Sequence, residues 1–116
     1  MPSINNYPRL KCPVTVTIAS AAQTSSEADL GGLSLLAIRF PAAFTGTTVT
    51  FTGSTSSGGT FQTLYDNTGT LITYTVAQGK DTICNPAHFA AYEYIKVVSG
   101  SSEGAARTVT LLCGPL

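Results

Sequence analysis

The sequence predicts an all-β protein, on the strength of three observations. Short runs of Val, Ile, Leu, Thr, Tyr and Phe fill the chain from residue 14 to residue 112. Gly, Ser, Asn and Pro separate these runs at spacings of roughly 8–12 residues, which is typical of sandwiches and barrels. No stretch has a helical period long enough for a crossover between parallel strands. We therefore expect a single antiparallel β-sandwich of about eight strands, either a jelly roll or an immunoglobulin-like fold.

The individual strands follow from the alternation of polar and apolar residues. Residues 14–18 and 47–52 alternate strictly, which is typical of half-buried strands. Residues 33–40 are denser in apolar side chains and predict a central strand covered on both faces, with Arg39 at the strand end or paired with a carboxylate. The other predicted strands are 60–65, 71–76, 82–84, 94–98 and 106–112.

Two local signals predict the connections. The run Asp66-Asn67-Thr68-Gly69 predicts a tight turn that makes a hairpin of strands 60–65 and 71–76, because Asn and Gly tolerate positive φ. Asn85 as a cap and Pro86 at the first helical position predict one short helical turn near residues 86–91.

Length and composition fit one domain. The chain has 116 residues, of which 43% are hydrophobic, enough for a core of its own. We divide it into an extended N-terminal arm, residues 1–12, and a β-sandwich domain, residues 13–116. Pro2 and Pro8 suit an arm that pairs continuously with nothing. Such an arm either covers an edge of its own sheet or reaches a neighbouring molecule.

The chain has three cysteines, Cys12, Cys84 and Cys113. An odd number without metal-ligand spacing favours buried thiols that act as small apolar residues. The alternative is a bridge between Cys12 and Cys113 that ties the two ends of the fold together.

The first residues show no basic segment followed by an apolar one, so we expect a protein made in a cytoplasm rather than secreted.

Charge is the unusual property of this composition. Only 10% of the residues are charged and the net charge is zero, against about 25% charged residues in an ordinary domain. The six Lys and Arg residues are scattered, which argues against a nucleic-acid partner. No apolar run approaches the roughly 20 residues of a membrane span. Since soluble monomers use charge to stay apart, we expect this protein to be docked in an assembly.

No pattern predicts catalysis, a cofactor or a metal. His88 is the only histidine and is expected to be a surface or hydrogen-bonded residue. The six acidic residues are dispersed in turns and strand ends, so no carboxylate pair suggests a glycosidase. Asp66 and Asn67 lack the ligand spacing of a calcium loop, which favours the turn. The sequence therefore predicts a protein that is not an enzyme.

The aromatic and threonine residues allow more than one interpretation. Tyr65, Tyr74, Tyr92 and Tyr94 are expected to pack their rings and keep their hydroxyl groups at the rim, which leaves sugar binding as the less favoured interpretation. The threonines of 47–52 and 73–75 suit exposed strands or a flat surface for contact between subunits. The core candidates are Phe40, Phe44, Phe51, Phe61 and Phe89.

Several short motifs resemble those of a known group of proteins. They are Ala28-Asp29-Leu30-Gly31-Gly32, Phe40-Pro41-Ala42-Ala43-Phe44, Gly58-Gly59-Thr60-Phe61 with Tyr65-Asp66, and Pro86-Ala87-His88-Phe89. In these motifs, across roughly residues 27–113, the chain resembles small virion structural proteins of tailed bacteriophages. The resemblance implies a β-sandwich from the head or tail of the particle, and it implies no catalytic residue.

Within that group we expect a head decoration, or cement, protein. Such a protein is made in the host cytoplasm, binds the outer surface of the head and clamps adjacent major capsid proteins. Its partners are then the major capsid protein and further copies of itself, as a homodimer or homotrimer. The alternative is a tail-associated or receptor-binding domain that recognises host surface polysaccharide through loops such as 53–59 and 99–104.

Overall fold

The protein is an all-β sandwich, as predicted. A computed structural model describes residues 12–115, so the predicted arm lies outside the described residues except for Cys12. A 3₁₀ turn at Pro86–His88, capped by the Asn85 side chain, confirms the predicted helical turn. The strands are β1 (Val14–Ile18), β2 (Ala28–Asp29), β3 (Ser34–Arg39), β4 (Thr48–Ser54), β5 (Gln62–Thr63), β6 (Tyr74–Thr75), β7 (Asp81–Ile83), β8 (Tyr94–Ser99) and β9 (Arg107–Gly114).

The strand order identifies the sandwich as a jelly roll. One sheet has the order β1-β9-β3-β7, and the other has β2-β8-β4-β5 with β6 also paired to β4. The strands pair from the two ends of the chain inward: β1 with β9, β2 with β8, and β3 with β7. At the centre of the chain, β4 pairs with β5 and β6, which together form one interrupted edge strand. This is a long antiparallel hairpin wrapped into two sheets, the jelly-roll arrangement, rather than the immunoglobulin-like one.

Two strand predictions are wrong in detail. The predicted hairpin of 60–65 and 71–76 keeps one isolated bridge, between Tyr65 and Leu71. Its two arms instead pair with β4, at Thr52 and at Thr48, because their backbone groups bond to that central strand. The sequence analysis also missed β2, which pairs with Ile95 and Tyr94 of β8 although it is only two residues long.

The core lies between the sheets and is centred on aromatic rings. The Phe51 ring meets the Phe89 ring edge-on, with centroids 4.9 Å apart, and Phe40 packs on Phe44 at 4.7 Å. These four phenylalanines are buried, as predicted. The prediction for Phe61 is wrong: it is only partly buried, and the Nζ atom of Lys96 lies 4.4 Å above its ring.

Glu103 is fully buried and joins three loops at one end of the sandwich. Its carboxylate accepts hydrogen bonds from the N–H groups of Thr45 at 3.0 Å and Gly46 at 3.1 Å, and from the Ser99 hydroxyl at 3.2 Å. The Arg107 Nε atom, 3.0 Å away, balances its charge. Burial alone raises the pKa of Glu103, but the donors from Thr45, Arg107 and Ser99 outweigh it and lower the pKa below its usual value.

The cysteine prediction is wrong for two of the three residues. Cys12 and Cys113 form a disulfide, which confirms the alternative, with Cα atoms 5.9 Å apart and a sequence separation of 101. The reason is the register of β1 and β9: Val14 lies opposite Leu111, which places residues 12 and 113 opposite each other. Cys84 is the buried free thiol that the sequence predicts.

Cys84 is expected to resist modification in the folded protein. Burial raises the pKa of its thiol to about 12, so almost no reactive thiolate is present at pH 8. An aromatic disulfide reagent should therefore release no chromophore from the native protein and one equivalent per chain after unfolding without reductant. Rapid labelling of the native protein would show that Cys84 is accessible.

Candidate interaction surfaces

His88 is hydrogen-bonded on both ring nitrogens, as a structural histidine would be. The Tyr74 hydroxyl lies 2.8 Å from Nδ1 and the Asn85 Nδ2 atom lies 3.4 Å from Nε2. The Asn85 side-chain oxygen accepts the N–H of Ala87, which leaves its amide nitrogen to face the histidine. His88 thus has a phenol and an amide as partners, not the nucleophile and carboxylate of a catalytic triad.

Asp66 organises the predicted turn. Its Oδ1 atom accepts the Thr68 hydroxyl at 2.6 Å and the N–H groups of Thr68 at 2.8 Å and Thr70 at 3.0 Å. These hydrogen bonds lower the pKa of Asp66, and the bond from the Thr68 hydroxyl has the largest effect.

Within residues 12–115, no group of three or more His, Cys, Asp or Glu side chains could hold a metal ion. The same part of the chain contains no helix with the length and apolar character that crossing a membrane requires.

The outer face of the first sheet carries one polar and one apolar row. In the polar row Thr15, Thr110, Arg39 and Asp81 lie opposite one another across β1, β9, β3 and β7. Arg39 and Asp81 form two hydrogen bonds, at 2.9 and 3.0 Å, so Arg39 lies at the strand end and pairs with a carboxylate. The next row is apolar and consists of Leu112, Ala37 and Ile83. We call these seven residues the Ile83 face.

The Ile83 face ends at the outer edge of β7, with which no other strand of the described residues 12–115 pairs. The Phe40 N–H donates to the Lys80 carbonyl, and the Cys84 N–H donates to the Leu36 carbonyl. By the alternation of an antiparallel ladder, the backbone N–H and C=O groups of Asp81 and Ile83 therefore point away from β3. The Ile83 side chain is 80% exposed at the same place. An open edge beside an exposed apolar side chain is suited to the addition of a strand from a partner.

The outer face of the second sheet is rich in threonine. Thr48, Thr50 and Thr52 of β4 are half-buried, because β8 and β5 with β6 flank this strand on both sides. Lys96 is opposite Thr52 and is held over the Phe61 ring. Lys96 is the charged residue paired with these threonines, and both predicted uses of the threonines stay open.

Tyr65 is exposed, so the prediction of a packed ring is wrong for this tyrosine. Its neighbour Leu64 is turned into the core at 3% exposure, and Tyr65, pointing the other way, is 59% exposed. The rings of Tyr74, Tyr92 and Tyr94 are partly buried, as predicted.

The Tyr65 side chain lines two clefts. The first, of about 410 Å³, is lined by Tyr65 with Asp66, Asn67, Ile72, Asn85 and His88 among others. The second, of about 430 Å³, is lined by Tyr65 with Ser54, Thr55, Gln62, Thr63 and Tyr92 among others. This site is not predicted from the sequence, because nothing in the residue pattern shows that Tyr65 is exposed between the two clefts.

No protein-family model matches the chain, and no curated protein matches it at a significant level. The function is therefore inferred from these surfaces and from the sequence motifs.

Proposed function

We propose that this chain is a non-enzymatic structural protein of a tailed-phage virion, a capsid decoration protein that binds the outer surface of the head. The observation that carries the proposal is Ile83, 80% exposed beside the open edge of β7 on a protein with 10% charged residues. The motif resemblance to small phage virion proteins supports the location. The partners proposed are the major capsid protein and other copies of this chain.

The Ile83 face has the features of a docking surface. An extended segment of the capsid protein can add to β7 through the outward N–H and C=O groups of Asp81 and Ile83. Ile83 and Leu112 then supply apolar area, and the neighbouring threonines form a rim without strong charge. Arg39 and Asp81, whose side chains are 61% and 40% exposed, can stay hydrated as an ion pair at the rim of this contact.

A decoration protein stabilises a capsid shell because it binds the assembled shell more tightly than the free capsid proteins. A clamp that binds only the assembled shell adds its binding free energy to the stability of that shell. A homodimer or homotrimer can hold two or three capsid proteins at once, and its second contact forms at a high effective concentration. Modest affinity at each Ile83 face is then sufficient.

Ile83→Asp is expected to weaken binding to capsids at least tenfold. The new carboxylate would be buried without a partner at the contact, which costs more than the lost apolar area alone. The measurement is co-sedimentation of the purified protein with capsids assembled without it, together with the temperature at which these capsids open. Ile83→Val keeps the apolar contact and should bind nearly as wild type. Tyr65→Ala lies outside the face and is the matched control.

Two results would contradict this proposal. One is failure of the wild-type protein to sediment with such capsids or to raise their opening temperature. The other is equal binding of wild type and Ile83→Asp, which would move the contact away from β7.

A further inference from the structure

We propose that Tyr65 and the two clefts beside it form a binding site for a neutral oligosaccharide. This site is separate from the Ile83 face, and its occupation does not depend on capsid binding. The clefts have volumes of about 410 and 430 Å³, which lie within the range of small-ligand sites, roughly 300–1,000 Å³. Because the same tyrosine lines both, a ligand of two or three sugar rings can occupy them together.

The exposed ring supplies the apolar contact that a sugar requires. Tyr65 presents an aromatic surface at 59% exposure, and the electron-rich face of such a ring attracts the C–H groups on one side of a pyranose. The adjoining backbone is fixed, since the Leu64 N–H donates to Phe51 and the Ile72 N–H donates to Leu64. With its backbone held, the tyrosine has only two χ angles to order on binding, so the entropy cost of the contact is small.

The polar groups of the first cleft suit hydroxyl groups. The Asp66 Oδ1 atom accepts the donors of Thr68 and Thr70, whereas within residues 12–115 its Oδ2 atom accepts no hydrogen bond. The side chain of Asn67, at the tip of the turn, adds an amide donor and acceptor. A carboxylate and an amide beside an aromatic ring can bind adjacent hydroxyl groups of one sugar.

The second cleft repeats this chemistry without charge. Gln62 supplies an amide, and Thr55 and Thr63 supply hydroxyl groups that both donate and accept. The Tyr92 ring forms its inner wall, where it packs against Gly53; a Cβ atom at residue 53 would lie 2.7 Å from that ring. Glycine at this position therefore lets the aromatic wall approach β4.

The charges favour a neutral ligand over an acidic one. No Lys or Arg is among the described residues that line either cleft, so an anionic sugar would have no counter-charge. Asp66 is ionised at neutral pH, as an ordinary aspartate is, and its hydrogen bonds lower its pKa further, so it would repel a carboxylate or sulfate group. The sequence predicts loops 53–59 and 99–104 as polysaccharide-binding loops. Residues 53–55 of the first loop line the second cleft, whereas no residue of 99–104 lines either cleft.

The test is an NMR titration of the ¹⁵N-labelled protein with maltotriose, mannotriose, chitotriose and 3′-sialyllactose. We expect at least one neutral trisaccharide to shift the amide signals of Tyr65, Gln62 and Asn67, and the acidic one to bind more weakly. Tyr65→Ala should bind about tenfold more weakly, whereas Tyr65→Phe should bind as wild type, because it keeps the ring.

Matched variants separate this site from the capsid contact. Ile83→Asp should bind the sugar as wild type, and Tyr65→Ala should still bind capsids. Unchanged thermal unfolding of Tyr65→Ala shows that the variant is folded. The proposal is overturned if none of the neutral sugars shifts these signals at millimolar concentration, if the shifts map elsewhere, or if Tyr65→Ala binds equally well. Preference for sialyllactose would overturn the neutral ligand class.

Discussion

Replacing Glu103 with glutamine is expected to lower the free energy of unfolding by about 3 kcal/mol, since one partner of a buried ion pair is lost. The Arg107 side chain, only 16% exposed, would be left without its counter-charge. The amide nitrogen that replaces one carboxylate oxygen would also face other donors: the Thr45 N–H and Arg107 at the Oε1 position, or the Gly46 N–H and the Ser99 hydroxyl at the Oε2 position. Thermal and urea unfolding of the two proteins measure this loss.

Glu27→Gln is the matched control for Glu103→Gln. Glu27 also accepts a side-chain and a backbone hydrogen bond, from Ser57 and Gly58, but it lies at the surface. Its loss should therefore cost much less. Equal stability of wild type and Glu103→Gln would show that the buried carboxylate does not join the loops as described.

The pH dependence gives an independent test of Glu103. The pKa of Glu103 is lower in the folded state than the ordinary value of 4.5. Its contribution to the free energy of unfolding is therefore complete above pH 4.5 and is lost as the pH falls through the folded-state pKa. Wild-type stability should therefore fall on acidification below about pH 4.5, and the fall should be smaller in Glu103→Gln. Identical pH profiles of the two proteins would contradict the lowered pKa.

Removing the disulfide is the second change with a large expected effect. The double variant Cys12→Ser, Cys113→Ser should be less stable than wild type by about 2–5 kcal/mol, because the bridge closes nearly the whole chain into one loop. Addition of reductant to wild type should produce a similar fall in Tm and leave the Tm of the double variant unchanged.

The disulfide also bears on where the protein matures. A bridge of this kind forms in an oxidising environment, so the proposed virion protein, if it is made in the host cytoplasm, would acquire the bridge only when the particle is released. Mass spectrometry after blocking of free thiols distinguishes the two states. If wild type from released particles carries both thiols free, or if reductant leaves its Tm unchanged, the proposed role of the bridge is wrong.

The fold could be predicted because the sandwich depends on local alternation. Val14, Val16 and Ile18 alternate with threonines, and Val109 and Leu111 do the same, so both segments are predicted as strands before their pairing is known. The choice between jelly roll and immunoglobulin-like fold could not be made in this way. It depends on which strands pair across the whole chain, and both folds require the same alternation.

The candidate sites were harder to predict because they depend on contacts distant in sequence. Glu103 is separated from Thr45 and Gly46 by 58 and 57 residues, so a polar loop gave no sign that its carboxylate is buried. Cys12 and Cys113 meet only through the register of β1 and β9. Tyr65 is exposed because Leu64, whose N–H donates to Phe51 of β4, is turned into the core, so that the next side chain points outward.

The most direct test of the proposed function is a cryo-electron microscopy reconstruction of capsids incubated with the purified protein. We expect one jelly-roll density per binding site on the outer surface, between neighbouring capsid proteins, with β7 and Ile83 turned toward the shell. Absence of added density on the head, or binding restricted to the tail, would contradict the account.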